Sequence, residues 1–184
     1  MDFLQSNWVK YGMYLGIITI LVQLVSYYVT PINVWMQMLL GFVIMIVLFY
    51  LAGKAEREAN GGVLSYGQAL KTTFLTGLTG TVISTLFSII LIQLIDPSLV
   101  EKLAEISVET ARSMMEKFGM PEDQMAAALE KAEEEAANAF TPGKMLLQIV
   151  YGSIFVLIFA AIVSIFVKKN EDPNQVSVQD IGEV

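Results

Sequence analysis

The chain contains neither cysteine nor histidine. It therefore cannot form disulfides, thiolate nucleophiles, Cys/His metal sites, a histidine-ligated haem or a Ser-His-Asp triad. Positive charge is also scarce, because eleven Lys and Arg side chains stand against eighteen Asp and Glu, for a net charge of −7. Phosphate binding requires a basic stripe, so this balance argues against nucleic acid as a partner. We expect no enzyme activity and no cofactor.

Polar surface is scarce as well. Hydrophobic residues make up 55% of the chain, charged residues make up 16%, and the mean hydropathy is +0.60. A soluble globule would need more polar side chains to cover its surface. Four apolar runs, at residues 11–29, 32–52, 66–95 and 142–167, match the length of about 20 residues that crosses a bilayer. The sequence predicts an all-α polytopic membrane protein with four transmembrane helices and the lipid bilayer as its solvent.

The third apolar run has the clearest internal pattern. It carries no charged side chain between Thr72 and Ile95. Small and hydroxyl-bearing residues recur in it every three or four positions, which places them on one side of a helix. In lipid, such residues let a neighbouring helix approach closely. We predict a helix-packing face formed by Thr73, Gly77, Gly80, Thr81, Ser84 and Ser88. A pore lined by this face in an oligomer is the alternative.

Local signals mark where the helices begin. Ser65 followed by Gln68 is a capping-box pattern for the third helix. A nucleophile–base pair of Ser65 and Lys71 is conceivable, but the cap explains Ser65 better. Thr30-Pro31 and Thr141-Pro142 each combine a capping residue with a proline suited to the first helical position.

Glycine and charge mark the first solvated loop. We expect the second helix to end at Gly53, with residues 54–64 forming this loop because they mix charges with an Asn-Gly-Gly breaker.

Residues 97–140 predict two amphipathic helices joined at Gly119-Met120-Pro121 into a helical hairpin. The apolar stripe of its first helix is our candidate interaction surface: Leu99, Leu103, Ile106, Met114 and Phe118. A weaker stripe follows on the second helix: Met125, Leu129, Ala132, Ala136 and Phe140.

The hairpin region is acidic, and three interpretations of it remain open. Residues 96–140 hold eleven acidic and four basic side chains. The acids can form a solvated face, or the hairpin can dock onto a membrane protein partner or a second copy of the chain. The third interpretation is divalent-cation binding at Glu133, Glu134 and Glu135, although no loop has EF-hand spacing.

Several motifs occur together in a recognisable order. They are SYGQALKTTFLTGLTG, the Ile95-Asp96-Pro97 helix exit, a Met- and Glu-rich middle, and Thr141-Pro142-Gly143 before the last run. With them the chain resembles a family of small bacterial four-helix integral membrane proteins, domain of unknown function family 4199, from about residue 10 to 169. The resemblance implies the fold and a bacterial inner-membrane location, and it carries no activity, cofactor or partner. Its most distinctive positions are Ser65, Gly67, Gln68, Gly77, Asp96, Pro97, Thr141 and Pro142.

Basic residues predict the orientation. Four crossings place Lys10, Lys54, Arg57, Lys71, Lys168 and Lys169 on one side of the membrane. The positive-inside rule then predicts cytoplasmic termini and an extracytoplasmic hairpin. We expect residues 1–169 to form one membrane domain and the polar residues 170–184 to be disordered. The predicted function is a structural or protein-interaction module of the inner membrane. The alternative is a small transporter or channel subunit assembled as an oligomer.

Overall fold

A computed structural model describes residues 6–29 and 33–170, and this part of the chain is helical. Four helices are long and apolar enough to cross a membrane, and two amphipathic helices lie between the third and fourth of them. The prediction of an all-helical protein with four candidate spans is therefore confirmed. The α-helices are α1 (Asn7–Leu24), α2 (Val34–Ala59), α3 (Tyr66–Ile90), α4 (Leu99–Lys117), α5 (Glu122–Ala139) and α6 (Pro142–Val167).

Two of the spans change their winding before they end. α1 continues into a π-helical turn at Val25–Val29, and α3 continues into another at Leu91–Ile95. The two helices run in the same direction, because Gly12 lies against Thr79 and Gly16 lies against Ile83. Both π turns are therefore at the same end of the bundle. Such turns are rare in proteins and are frequently found at functional sites.

α3 lies at the centre of the bundle and contacts the other three spans. A β-carbon added at Gly77 would collide with Val156 of α6 and would lie 2.6 Å from Phe49 Cζ of α2. One added at Gly80 would lie 2.7 Å from Leu15 Cδ2 of α1. These glycines let the neighbouring helices approach closely, which is how helices associate in lipid.

Gly53 has a different role from the predicted one. α2 does not end there but continues to Ala59, so the first half of the predicted loop is helical. A β-carbon at Gly53 would lie 2.5 Å from Val167 Cγ1 of α6. Gly53 is therefore a close-approach residue inside α2, and the turn is made by Gly61 and Gly62, whose φ angles are +72° and +92°.

The start of α3 confirms the predicted capping box. The Gln68 N–H donates to Ser65 Oγ at 3.3 Å, and the Ser65 N–H donates to Gln68 Oε1 at 3.0 Å. At the start of α2, Asn33 Oδ1 accepts a hydrogen bond from the Trp35 N–H at 2.9 Å. The predicted start at Thr30-Pro31 lies outside the described residues, and so does the predicted disordered tail from residue 171 onward.

The predicted start of α6 is correct in position but not in its capping contact. Thr141 is the N-cap residue and Pro142 begins the helix. The Thr141 hydroxyl does not cap α6, because it donates to the carbonyl of Asn138 at 3.0 Å. Thr141 therefore closes α5, while Pro142 supplies the fixed φ that suits a first helical position.

The end of the bundle opposite the π turns is closed by backbone pairing. Leu64 and Lys169 exchange two backbone hydrogen bonds, at 2.8 and 2.9 Å. Arg57 adds a long hydrogen bond, 3.4 Å, from its guanidinium to the carbonyl of Val167. We call this the basic end of the bundle, because most of the basic residues that flank the spans lie here, with Lys144 at the start of α6 as the exception.

Candidate functional site: the docked acidic hairpin

α4 lies across the end of the bundle where the π turns are. Its first two turns bury Leu99 and Leu103, which are 4% and 8% exposed. They pack in a cluster with Leu91 and Ile92 of the π turn that follows α3 and with Met145 of α6. At its other end, Lys117 of α4 places its ammonium 4.9 Å from the ring centroid of Trp35, at the start of α2. Nineteen residues of helix extend about 28 Å. α4 therefore crosses the bundle end from α3 to α2.

Polar contacts attach this hairpin to both π turns. The Lys102 ammonium donates to the carbonyl of Tyr27 at 2.9 Å. Gln93 Nε2 donates to the carbonyl of Phe140, where α5 ends, at 2.9 Å. Carbonyls at a helix end lack intrahelical donors, so these side chains satisfy groups that would otherwise need water. The π turns thus serve as attachment points for the hairpin.

Asp96 is the residue that joins α3 to the hairpin. Its carboxylate accepts from the Ser98 hydroxyl at 2.5 Å and from the Tyr28 hydroxyl at 2.8 Å. Hydrogen bonds to the ionised form favour it. The Ser98 contact and then the Tyr28 contact therefore hold the pKa of Asp96 below its ordinary value. A charged Asp96 links the end of α1 to the start of α4.

The predicted interaction stripe does not form one surface. Leu99 and Leu103 are buried against the bundle, Met114 is half-buried, Ile106 is 38% exposed and Phe118 is 88% exposed. Phe118 falls outside the stripe because α4 ends at Lys117, one residue before it. Gly119, which follows Phe118, has a φ of +68°. Helical periodicity does not extend through such a turn. The stripe residues nearest α3 therefore hold the hairpin in place and are not available to a partner.

α5 packs on α4 through its own stripe. Leu129 and Ala136 are buried, and Met125 and Ala132 are half-buried. α5 contacts α4 far more than it contacts α6, so it depends on α4 for its position. The hairpin is therefore one unit, and its side chains reach the bundle both from α4 and from Phe140 at the end of α5.

The outward surface of the hairpin is strongly acidic. Within the described residues, no ion pair neutralises any hairpin carboxylate, and two hairpin bases, Lys102 and Lys117, are engaged with Tyr27 and Trp35. A groove of about 700 Å³ between α4 and α5 carries four of the carboxylates together with Arg112. The exposed acids are Glu101, Glu105, Glu109, Glu116, Glu122, Asp123, Glu130, Glu133, Glu134 and Glu135.

Glu133, Glu134 and Glu135 are not arranged as a metal site. They occupy consecutive positions of α5, and neighbouring positions on a helix do not face each other. Over residues 6–29 and 33–170, no three carboxylates come close enough together to hold a metal ion.

The six residues of the predicted packing face line two sides of α3. Toward α6, Thr73 Oγ1 lies 3.0 Å from Ser164 Oγ, and Gly77 contacts Val156. Toward α1, Gly80 contacts Leu15, and the Ser88 hydroxyl donates to Gln23 Oε1 at 3.0 Å. Thr81 and Ser84 lie between Gly80 and Ser88 along the helix, and the Ser84 hydroxyl donates to the Thr81 carbonyl at 3.1 Å.

Sequence reasoning missed two buried threonines of α3. Thr72 and Thr76 are 4% and 0% exposed, and the Thr76 hydroxyl donates to the Thr72 carbonyl at 2.8 Å. Their spacing of four residues was the available signal, because it repeats the spacing of the predicted face. A helix enclosed on several sides buries more than one such row.

No curated protein and no solved structure matches this chain. A family model described as "Protein of unknown function (DUF4199)" matches residues 10–169, from the first turn of α1 to the pairing of Lys169 with Leu64. The match thus includes all four spans and the docked hairpin, and the chain belongs to this family.

Proposed function

We propose that the protein is a multi-pass protein of the bacterial inner membrane and that its hairpin is an extracytoplasmic docking module for a basic segment of another protein. One observation carries this proposal. The hairpin is held in place by Leu99, Leu103, Lys102 and Lys117, yet its ten outward carboxylates have no ion-pair partner among the described residues. A fixed surface of one charge sign attracts and orients a partner of the opposite sign.

The distribution of charge supports the orientation. The end of the bundle opposite the hairpin carries six of the basic residues that flank the spans, whereas Lys144, in the first turn of α6, lies at the hairpin end. The six are Lys10, Lys54, Arg57, Lys71, Lys168 and Lys169. Lys and Arg near the ends of spans favour the cytoplasmic side. This bias supports the proposed orientation, in which the hairpin and its acidic surface lie outside the cytoplasm.

The proposed contact surface differs from the stripe predicted from the sequence. Leu99 and Leu103 are buried, and a recessed part of the surface that stays exposed is the groove between α4 and α5. Glu105, Glu109 and Glu133 line this groove, and an extended or helical segment with Lys or Arg side chains would complement them. Individual exposed ion pairs contribute about 0–1 kcal/mol, so several carboxylates must act together.

The test is site-specific photocrosslinking in native membranes from Ala127, an exposed residue of α5. Changing Glu105, Glu109 and Glu133 to Gln should lower the yield of one defined crosslinked protein by on the order of tenfold, which is about 1.4 kcal/mol. The yield for the parent protein should also fall with added salt. The matched control changes Glu116, Glu122 and Asp123, near the hairpin turn, to the corresponding amides. Equal yields for the parent and the groove triple would contradict the proposal.

An oligomeric pore is the other function that the sequence leaves open, and we do not propose it. α3 is surrounded by α1, α2 and α6, and Thr73, Gly77 and Gly80 are occupied by contacts with those helices. Lining a pore with this face would require the bundle to separate.

A further inference from the structure

The basic end of the bundle contains a small polar cavity that the proposed function does not use. Its volume is about 230 Å³, below the range of about 300–1,000 Å³ typical of pockets for drug-sized ligands. It lies between the first turn of α1, the last turns of α2 and the first turns of α3, which is the headgroup level if these helices span a bilayer. Its lining residues are Trp8, Glu56, Asn60, Gln68, Lys71 and Thr72.

One side of the cavity offers N–H donors. Gln68 Oε1 accepts from both the N–H and the hydroxyl of Ser65, each at 3.0 Å. Because that oxygen already accepts two hydrogen bonds, the Nε2 group is the part of the Gln68 amide that can donate to a ligand in the cavity. Lys71 supplies an ammonium, which forms no ion pair with any residue that the structure describes. An ammonium and an amide N–H together suit a phosphate group.

The other side offers a carboxylate. Glu56 Oε2 accepts from Asn7 Nδ2 at 2.9 Å, and this bond orients the carboxylate from α1. Over the described residues Glu56 forms no ion pair either, although Lys71 lines the same cavity. Among the described residues, the lining therefore includes one cation and one anion that form no ion pair with each other. A ligand with a phosphate and an ammonium would satisfy both.

We infer that this cavity binds the phosphoethanolamine headgroup of phosphatidylethanolamine. Lys71 and Gln68 receive the phosphate, and Glu56 receives the ammonium. The quaternary ammonium of phosphatidylcholine has no N–H to donate to Glu56, and phosphatidylglycerol brings no cation to it. Trp8 is an amphipathic aromatic of the kind found at headgroup level. This site is separate from the hairpin and does not depend on the hairpin's role.

The test uses the full chain in detergent and follows its thermal unfolding as lipid is added. Phosphatidylethanolamine should raise Tm with its concentration, because a ligand that binds the folded state stabilises it. Phosphatidylcholine and phosphatidylglycerol should raise Tm less. Lys71→Gln and Glu56→Gln should each weaken the apparent affinity for phosphatidylethanolamine by on the order of tenfold, since each loses a charge-assisted hydrogen bond.

The chain offers a matched control pair at the same end. Lys54 and Glu58 form a 3.9 Å ion pair outside the cavity, so Lys54→Gln and Glu58→Gln remove the same charges without touching the proposed site. These two variants should keep the affinity of the parent. Lys71→Arg keeps the positive charge and the N–H donors, so it should retain most of the affinity for phosphatidylethanolamine. It also serves as a control that a substituted cavity end still folds. Equal losses in the cavity and control variants would overturn the inference.

One further arm identifies the source of the headgroup. Soluble phosphoethanolamine at the same concentration should stabilise the protein less than the lipid, because it lacks the acyl chains that partition beside the spans. If it reproduces the whole effect, the ligand is a free zwitterion and the lipid assignment is overturned. Equal stabilisation by all three lipids would also overturn it.

Discussion

α3 and α4 are consecutive helices that are held in place by different kinds of contact. α3 uses small residues, so that Gly77 and Gly80 admit side chains of three neighbouring spans. α4 uses large apolar side chains at its start, Leu99 and Leu103, and single polar contacts along its length. The first kind of contact depends on the fit of surfaces, and the second depends on a few anchoring residues.

The difference follows from the surroundings of each helix. In lipid, burying an apolar side chain gains little, because lipid tails are as apolar as leucine, and close packing decides association. Outside the hydrocarbon core, burying a leucine removes it from water and contributes about 1.5–3 kcal/mol. The bundle should therefore be sensitive to added volume, and the hairpin should be sensitive to lost apolar area.

The largest expected effect tests the fit of the bundle. Gly77→Leu should lower the free energy of unfolding, because Phe49 and Val156 already occupy the space beside Gly77. Overpacking typically costs about 1–3 kcal/mol, and we expect a loss at the upper end of this range. Gly152→Leu is the matched control, since nothing lies within 4 Å of a β-carbon added there. Thermal unfolding in detergent measures both. Equal melting temperatures for the two variants would show that close approach at Gly77 does not stabilise the bundle.

A smaller and local effect is expected for the hairpin anchor. Leu103→Ser should cost up to about 1.5–3 kcal/mol of docking free energy, since Leu103 is buried against the bundle. Amide hydrogen exchange should then speed up in α4 and α5 but not in α3. Ile106→Ser, at a position 38% exposed in the same helix, should change exchange much less. Faster exchange throughout α3 would mean that the hairpin and bundle unfold together.

The smallest effect concerns Asp96 and pH. Its folded-state pKa is held below the ordinary value by Ser98 and Tyr28, so ionised Asp96 stabilises docking above that ordinary value of about 3.9. The contribution should be lost as pH falls through the lowered folded-state pKa. A fluorophore on Ala127→Cys can report docking as a function of pH. The same labelled protein with Asp96→Asn shows the pH dependence that comes from the other carboxylates, and the difference between the two profiles is the contribution of Asp96. Identical pH profiles for the two proteins would remove Asp96 from the anchor.

Local composition and capping chemistry were sufficient to predict the spans and the Ser65–Gln68 capping box. They could not distinguish the roles of glycines. Gly53 was expected to end α2, yet it lies inside the helix because Val167, far away in sequence, packs on it. A glycine that ends a helix and one that admits a neighbour have the same local signature, so the distinction depends on tertiary contacts.

In the hairpin too, tertiary contacts decided what the local sequence pattern could not predict. A period of 3.6 residues placed Leu99, Leu103 and Phe118 in one stripe, but α4 ends before Phe118 and the bundle covers the two leucines. The π turns that receive the hairpin are apolar continuations of their spans, so hydropathy does not distinguish them from the α-helix before them. The cavity at the basic end joins Glu56 and Lys71 from different helices, which no local pattern connects.

We propose that the hairpin and the basic end lie on opposite sides of the membrane, with the hairpin outside the cytoplasm. The chain has no native cysteine, so single cysteines can be labelled cleanly. Ala127 in α5 and Ala59 at the end of α2 are both exposed alanines. An impermeant maleimide applied to outer-membrane-permeabilised cells should label Ala127→Cys at once and Ala59→Cys only after the inner membrane is lysed. Labelling of Ala59→Cys with protection of Ala127→Cys would contradict the account.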